Sequence, residues 1–282
     1  MTFLNRIKQA VFNKNSCVSV GLDADLNKIP SCLKQPDKST ADIIFNFNQA
    51  IIDNTHDLVC AYKPNIAFYE AQGPDGLSAL KRTVDYIKQI DPEIVTIVDA
   101  KRADIGNTNQ AYAQAIFDYF QFDALTVHPY LGQQALAPLL NRKDKGVIVL
   151  CRTSNQGAGE FQDLEIDSRH GRLPLYQFLA QQVVQNWNQH QNCGLVVGAT
   201  YPQELAEVRA IAADLPLLIP GIGAQGGDVE KTVAAGHAKT WPGMVINSAR
   251  SIIFASSDQN FAQAARDKTI QLKQLTNNYL KT

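Results

Sequence analysis

Short apolar runs alternate along the chain with longer segments of helical periodicity. Eight runs stand out: residues 16–23, 57–63, 93–101, 123–128, 146–151, 193–199, 216–221 and 243–248. Most of them are apolar on both faces, which is typical of strands buried between a barrel interior and a shell of helices. The pattern therefore predicts parallel strands that are covered on both sides.

The segments between these runs have the spacing of amphipathic helices. They are residues 41–55, 76–90, 107–119, 133–141, 173–190, 202–213, 228–235 and 258–280. Eight strand–helix pairs favour an α/β fold in which residues 1–282 form a single (β/α)8 TIM barrel domain. An amphipathic stretch over about residues 1–14 predicts an additional N-terminal helix. The seventh run is short and flanked by proline, so the pattern alone leaves an open doubly wound sheet as the alternative.

The connection after the fifth run, at about residues 152–171, is polar, contains glycine and shows no clear period. A connection of roughly 20 residues within a compact domain is more often a functional lid than filler. We therefore expect this connection to be a long loop that acts as a lid over the functional site of the protein. A tolerated surface insertion is the alternative.

Composition and charge exclude several classes of protein. The net charge is −1 at pH 7, which gives no basic footprint for nucleic acid. No segment approaches the roughly 20 apolar residues that cross a bilayer, and the N-terminal stretch lacks the apolar region of a signal peptide. The five cysteines, Cys17, Cys32, Cys60, Cys151 and Cys193, have no metal-ligand spacing. We expect a cytoplasmic protein that binds neither nucleic acid nor membrane.

Charged residues end three successive predicted strands. Asp23 ends the first, Lys63 the second, and Asp99 and Lys101 the third, with Asp104 following in the loop. Barrel enzymes place their chemistry at the C-terminal ends of the strands. Alternation along a strand predicts that Asp99 and Lys101 share one face. Asp104 can reach either this site or a neighbouring subunit.

The placement of Lys101 among carboxylates indicates its chemistry. Neighbouring negative charges favour the protonated ammonium, whereas a Schiff-base lysine must be neutral to attack a carbonyl. The arrangement therefore favours a lysine that delivers a proton within a closed site over one that forms a covalent intermediate.

A second group of residues is typical of an anion site. Residues 220–228 form a glycine-rich turn between the seventh strand and a helix start, and Arg250 follows the eighth strand. Backbone N–H groups at a helix start bind anions, and a guanidinium adds charge-assisted hydrogen bonds. Loops seven and eight are the usual phosphate site of barrels. The sequence predicts a phosphate group bound between them.

These motifs, taken in order, resemble those of the orotidine 5'-phosphate decarboxylase family. The matching segments, GLDAD, AYKPN, DAKRADIGNT, PGIGAQGGD and NSARSI, lie between residues 21 and 253. The KPN form of the second motif and the long segment after the fifth strand are similar to the longer-chain bacterial subgroup. The resemblance implies decarboxylation of orotidine 5'-phosphate to uridine 5'-phosphate in de novo pyrimidine biosynthesis, without a metal or an organic cofactor.

The resemblance also implies roles for individual residues. Lys63, Asp99, Lys101 and Asp104 would form a network of alternating charge, and Lys101 would protonate C6 of the pyrimidine. Asp104 and Thr108 would come from the partner subunit of a homodimer with shared active sites. The remaining expected contacts are those of Asp23 and Lys63 to the ribose hydroxyls, Ser154 to the pyrimidine amide, and Gly223, Gln225, Gly226 and Arg250 to the phosphate.

Two alternative functions remain open at this level. Mg²⁺-dependent sugar-phosphate lyases, such as 3-keto-gulonate 6-phosphate decarboxylase and hexulose phosphate synthase, are similar in the third-strand motif and the phosphate loop. They carry an acidic residue after the second strand, where this chain has Lys63, whose ammonium would repel a metal. A non-catalytic barrel that binds nucleotide phosphates is the other alternative, and the intact Lys/Asp cluster argues against it.

Overall fold

The computed structural model describes residues 1–168, 171–222 and 227–281 of the chain. Eight of the described strands are parallel and close into a barrel. They are β1 Val18–Val20, β2 Ala61–Tyr62, β3 Val95–Arg102, β4 Ala124–Val127, β5 Gly146–Arg152, β8 Cys193–Val197, β9 Leu217–Pro220 and β10 Met244–Ser248. The ring is completed by the pairing of β1 with β10, in which Val18 lies opposite Ile246. The predicted (β/α)8 barrel is therefore confirmed, and the open-sheet alternative is wrong.

The helices lie between the strands and around the barrel. They are α1 Phe3–Lys14, α2 Thr40–Thr55, α3 Ala67–Glu70, α4 Gly73–Ile90, α5 Gly106–Ala113, α6 Gly132–Leu140, α7 Gly159–Gln162, α8 Leu175–Gln182, α9 Pro202–Ala212, α10 Val229–Gly236, α11 Arg250–Ile253 and α12 Phe261–Leu280. Helices α5 and α8 continue as π-helical turns, Gln114–Tyr119 and Val183–Trp187. Among the described helices, none is long and apolar enough to span a bilayer.

Helix α4 begins earlier than its apolar spacing indicates. The periodic pattern starts at Gly76, whereas the helix starts at Gly73. Gly73 adopts a left-handed φ of 59°, which glycine tolerates without steric cost. Pro74 then occupies the first turn, where its fixed φ suits a helix and its missing N–H leaves no bond unmade. The start is therefore set by backbone chemistry rather than by hydrophobic periodicity.

The connection after β5 contains more regular structure than its sequence indicates. A 3₁₀ turn at Gln156–Ala158 leads into α7, and an antiparallel hairpin follows, formed by β6 Glu165–Ser168 and β7 Gly171–Pro174. The predicted helix over residues 173–190 accordingly begins only at Leu175, because Leu173 and Pro174 pair in the hairpin. Four-residue strands are too short to show a period, which explains the difference.

Helix α1 closes the N-terminal end of the barrel, opposite the strand ends that carry charge. Its apolar face packs in one buried cluster with residues of the barrel strands, and Phe3 and Ile7 are at most 1% exposed. A β carbon at Gly146 would lie 2.6 Å from the Phe3 ring. Glycine at the start of β5 therefore lets the helix pack closely against the N-terminal end of the barrel.

Arg209 joins the elements that flank the glycine-rich turn. This residue of α9 is 7% exposed, and its guanidinium donates to the carbonyls of Ala213, Leu215, Gly236 and Gly243 at 2.6 to 2.8 Å. Burial lowers the pKa of Arg209 to about 10, so the side chain is charged at neutral pH. These bonds connect the end of α9, the end of α10 and the loops that enter β9 and β10.

We expect Arg209→Met to lower the free energy of unfolding by about 3 kcal/mol, because the substitution preserves bulk while several buried carbonyls lose their donor. Urea unfolding followed by circular dichroism measures the change. Arg142→Met is the control, since Arg142 forms an ion pair with Asp118 at the surface and such pairs contribute about 1 kcal/mol or less. Equal losses in the two variants would contradict a special role for Arg209.

Candidate active site

The C-terminal ends of the barrel strands surround a cavity of about 490 Å³. Six of the predicted site residues line it: Asp23, Lys63, Asp99, Lys101, Ser154 and Arg250. They follow β1, β2, β5 and β10 or belong to the end of β3, so they are far apart in sequence and meet only because the barrel is closed. The cavity is thus charged on the side of the first three strands.

Lys63 is the most deeply buried charge of the cavity. Its backbone is fixed on both sides, since its N–H donates to Val20 at 2.9 Å and its carbonyl accepts from Leu22. The side chain is 4% exposed, and its ammonium lies 2.8 Å from the Asp99 carboxylate. A buried ammonium is costly unless it is paired, so this contact fixes the Lys63 side chain in place.

Asp99 lies between two ammonium groups. One carboxylate oxygen accepts from Lys63, and the other accepts from Lys101 and, at 3.1 Å, from the hydroxyl of Thr126. Burial acts to raise the pKa of Asp99, but the charges and hydrogen bonds of the two lysines outweigh it and keep the pKa well below its ordinary value. Asp99 is therefore ionised throughout the range in which proteins work.

The third strand is irregular where it carries these residues. Val98 pairs with Leu125, but the next paired residue, Arg102, lies opposite Val127. Lys101 has a left-handed φ of 48°. The simple alternation from which we predicted a shared face is therefore interrupted, although the Lys101 ammonium still contacts Asp99. The side chain of Lys101 is 49% exposed and borders the open part of the cavity.

Asp23 adds a second carboxylate on the same side. One of its oxygens accepts from the backbone N–H of Asn65 at 3.2 Å. Burial raises the pKa of Asp23, the charge of Lys63 opposes that rise, and the negative charge of Asp99 adds to it. Asn65 also lines the cavity and pairs with Asp99 in a single parallel bridge. Asn65 belongs to the AYKPN segment, but the resemblance implied no role for this residue.

The described residues of the predicted anion site follow β9 and β10. Gly221, which has a left-handed φ of 106°, lines the cavity together with Ile222 and Arg250. Gly227 donates to the carbonyl of Gly221 at 3.1 Å, which closes the base of the glycine-rich turn. Gly223, Gln225 and Gly226 lie outside the described residues. Arg250 begins α11, and its exposed side chain lines the cavity on this side.

Ser154 reaches the cavity because a glycine follows a neighbouring strand. A β carbon at Gly198, which follows β8, would lie 2.7 Å from the Ser154 β carbon and 2.9 Å from its α carbon. Contacts that short do not occur between real β carbons and their neighbours, so any larger residue at position 198 would displace the backbone of Ser154. The predicted substrate-binding serine is therefore placed by a glycine that the sequence analysis did not single out.

Arg152 attaches the long connection to the barrel, a role that the sequence did not reveal. Its side chain is 4% exposed and its guanidinium lies 4.4 Å from the Tyr201 ring centre. It donates to the side chains of Gln162 and Asp163 at 3.4 and 3.2 Å. Gln162 lines the cavity and accepts from the backbone N–H of Thr153. Helix α7 is thereby bound to the end of β5.

Asp104 and Thr108 do not line the cavity of their own chain. A carboxylate oxygen of Asp104 accepts from the N–H of Ile105 at 2.7 Å, and its backbone N–H donates to Asn109. Ile105 is 61% exposed. The placement of both residues at a partner's site therefore stays a prediction.

Among the described residues, no three His, Cys, Asp or Glu side chains come close enough to hold a metal ion.

Comparison with known proteins agrees with this geometry. The model of the orotidine 5'-phosphate decarboxylase / HUMPS family matches residues 37–265. The orotidine 5'-phosphate decarboxylase of Cellvibrio japonicus (strain Ueda107) is 46% identical over 277 residues, which cover 98% of each chain. That of Janthinobacterium sp. (strain Marseille) is 45% identical over 281 residues, which cover 99% of this chain and 100% of the relative.

A solved structure gives the same result at the level of the fold. The OMP decarboxylase of Leishmania donovani superposes with a TM-score of 0.81 and 33% sequence identity, covering 98% of this chain and 99% of the other. The family model matches well over half of the chain, and the sequence relatives match it nearly end to end. The chain therefore belongs to the orotidine 5'-phosphate decarboxylase / HUMPS family.

Proposed function

We propose that the chain is a carboxy-lyase that converts orotidine 5'-phosphate to uridine 5'-phosphate in de novo pyrimidine biosynthesis, with Lys101 as the proton donor. The observation that carries the proposal is the row formed by Lys63, Asp99 and Lys101 in one cavity that Arg250, which follows β10, also lines. The row provides a fixed ammonium for the reacting carbon, and Arg250 provides a cation for the phosphate.

The bond between C6 and the carboxylate carbon breaks, and its electron pair stays on C6 while carbon dioxide leaves. The Lys101 ammonium then gives a proton to C6 and regains one from water. Negative charge at C6 grows as the bond breaks, so a preorganised ammonium stabilises the transition state more than the substrate. Asp99 keeps the ammonium in place, and the half-exposed Lys101 side chain gives water access between turnovers.

The remaining contacts follow from the same orientation of the substrate. Asp23 and Lys63 bind the ribose hydroxyls, and Ser154 binds the pyrimidine amide. The phosphate lies between Arg250 and the glycine-rich turn, which includes Gly223, Gln225 and Gly226. This assignment is supported by the position of Asp23 and Lys63 on one side of the cavity and of Gly221 and Arg250 at the ends of β9 and β10.

An apolar patch in the cavity suits the departing product. Leu150, Val196 and Leu218 line the same cavity as the charged row. Carbon dioxide is uncharged and apolar, whereas the substrate carboxylate is charged. Apolar side chains therefore interact more favourably with carbon dioxide than with the carboxylate from which it forms. The patch therefore supports decarboxylation over simple nucleotide binding.

We further propose that the active enzyme is a cytoplasmic homodimer that uses no metal or organic cofactor. Asp104 and Thr108 then complete the partner's site. The exposed side chains of Ile105, Tyr130 and Leu131 support an interface beside them, since they are 61, 87 and 44% exposed. Lys63 disfavours the Mg²⁺-dependent lyases, because its ammonium would lie where a metal-binding acid is required.

We expect the purified protein to consume orotidine 5'-phosphate at full rate after exhaustive chelation, because a lysine rather than a metal meets the developing charge. Loss of the substrate's ultraviolet absorbance measures the rate, and the Lys101→Ala variant is the inactive control. Turnover that vanishes on chelation and returns with Mg²⁺ would favour the sugar-phosphate lyases. Binding without turnover would favour a non-catalytic barrel.

We expect activity to return when two inactive variants exchange subunits. Lys101→Ala and Asp104→Ala proteins each lack one member of every site, but a hybrid dimer regains one intact site. Random exchange at equal amounts gives about a quarter of the wild-type activity. Mass spectrometry of differently labelled chains confirms that exchange has occurred. Exchange without recovery would place Lys101 and Asp104 in the site of one chain.

We expect Arg250→Ala to lower kcat/KM for orotidine 5'-phosphate by about ten- to a hundredfold, the effect of losing a charge-assisted contact of about 1.5–3 kcal/mol. Part of the loss should appear in kcat, since phosphate binding energy also organises the site. The phosphate-free nucleoside orotidine is the control and should react equally slowly with both proteins. An equal loss with orotidine would make the role of Arg250 structural.

A further inference from the structure

We propose that Thr126 is a positioning residue of this active site, whose hydroxyl fixes both Asp99 and the backbone of Lys101. Thr126 belongs to β4, is 1% exposed and borders the cavity beneath the charged row. The inference rests on the proposed function, because it concerns how the proton donor is placed. It adds a residue that acts through its neighbours rather than by contact with the substrate.

The irregularity of β3 creates the need for such a residue. Because Val98 pairs with Leu125 and Arg102 with Val127, residues 99–101 lie opposite Thr126 alone. In a regular ladder each residue has one partner across the strand pair. Extra residues on one strand leave backbone groups without their usual partners, and buried N–H groups need another acceptor.

The Thr126 hydroxyl meets this need at its full bonding capacity. Its oxygen accepts from the N–H of Ala100 and from the N–H of Lys101, each at 3.0 Å. Its proton is donated to the Asp99 carboxylate at 3.1 Å. A hydroxyl has one donor and two acceptor sites, so all of them are used within the bulge. Thr126 is itself only 1% exposed, so the protein supplies these three bonds.

The bond to Lys101 matters because that residue has an unfavourable backbone conformation. A left-handed φ is costly for a residue with a β carbon. Such strain persists where surrounding contacts impose it, and it occurs most often at functional sites. The Thr126 hydroxyl holds Lys101 in two ways. It accepts directly from the backbone N–H of Lys101, and it donates to Asp99, whose carboxylate contacts the Lys101 ammonium. The hydroxyl thus sets where the ammonium lies.

A matched control lies at the other end of the same strand pair. Thr96 of β3 donates its hydroxyl proton to Asp123 at 2.9 Å, and the N–H of Asp123 donates back to the Thr96 hydroxyl at 3.1 Å. Thr96 is fully buried and does not line the cavity. Its replacement by valine removes comparable buried bonds between β3 and the start of β4, away from the charged row.

We expect Thr126→Val to lower kcat for orotidine 5'-phosphate by about ten- to a hundredfold, as for the loss of one buried hydrogen-bonded partner. KM should change little, since ribose and phosphate are bound by other residues. Thr126→Ser retains the hydroxyl and should restore kcat. Thr96→Val should lower the thermal midpoint about as much as Thr126→Val but leave kcat unchanged. A wild-type kcat in Thr126→Val, or an equal loss in Thr96→Val, overturns the inference.

A second measurement separates this inference from the proposed function. Amide hydrogen exchange at Ala100 and Lys101 should be faster in Thr126→Val than in the wild type and in Thr126→Ser. If the wild type does not turn over orotidine 5'-phosphate, the proposed function fails. If amide exchange at Ala100 and Lys101 is the same in Thr126→Val as in the wild type, the role of Thr126 is overturned. If Thr126→Val does not fold, Thr126→Ala and Thr126→Ser provide the same comparison, and equal kcat values in the two overturn the inference.

Discussion

The side chain of Lys63 is 4% exposed, and burying an ammonium costs free energy unless a carboxylate compensates the loss of water. The ion pair with Asp99 meets that condition, and the rest of the site depends on it. Because Lys63 and Lys101 both contact Asp99, its pKa stays low and the carboxylate stays ionised. The two lysines therefore hold one ionised carboxylate between them.

The charged row differs from the part of the cavity that follows β10. The first three strands supply a tightly bonded cluster whose side chains contact one another, whereas the side chain of Arg250 is exposed and lines the cavity. The contrast has a physical reason. Groups that act on a developing charge must be fixed beforehand, while a phosphate brings enough charge of its own to order an exposed arginine.

The sequence predicted those features that depend on one segment at a time. Eight apolar runs correspond to the eight barrel strands, and the charged residues at their ends lie in one cavity because parallel strands end on the same side. Ring closure depends on pairing between Val18 and Ile246, which no local pattern contains. The hairpin after β5 is too short to show a period.

The residues that were missed act through neighbours that are distant in sequence. Thr126 looks like an ordinary strand residue, and only the bulge in β3 gives its hydroxyl three partners. The Arg152 guanidinium packs on the ring of Tyr201, a residue that comes after β8 in the sequence. The positions of Asp104 and Thr108 in a partner's site require a second chain and therefore stay predictions.

The carbonyl cluster around Arg209 has a consequence for how the molecule opens. A single guanidinium bonds carbonyls that precede β9 and β10 and that end α9 and α10. Each of these segments loses a buried bond to the same guanidinium when it separates from α9. The quarter of the barrel that carries the glycine-rich turn should accordingly behave as one foldon, which opens as a unit and not strand by strand.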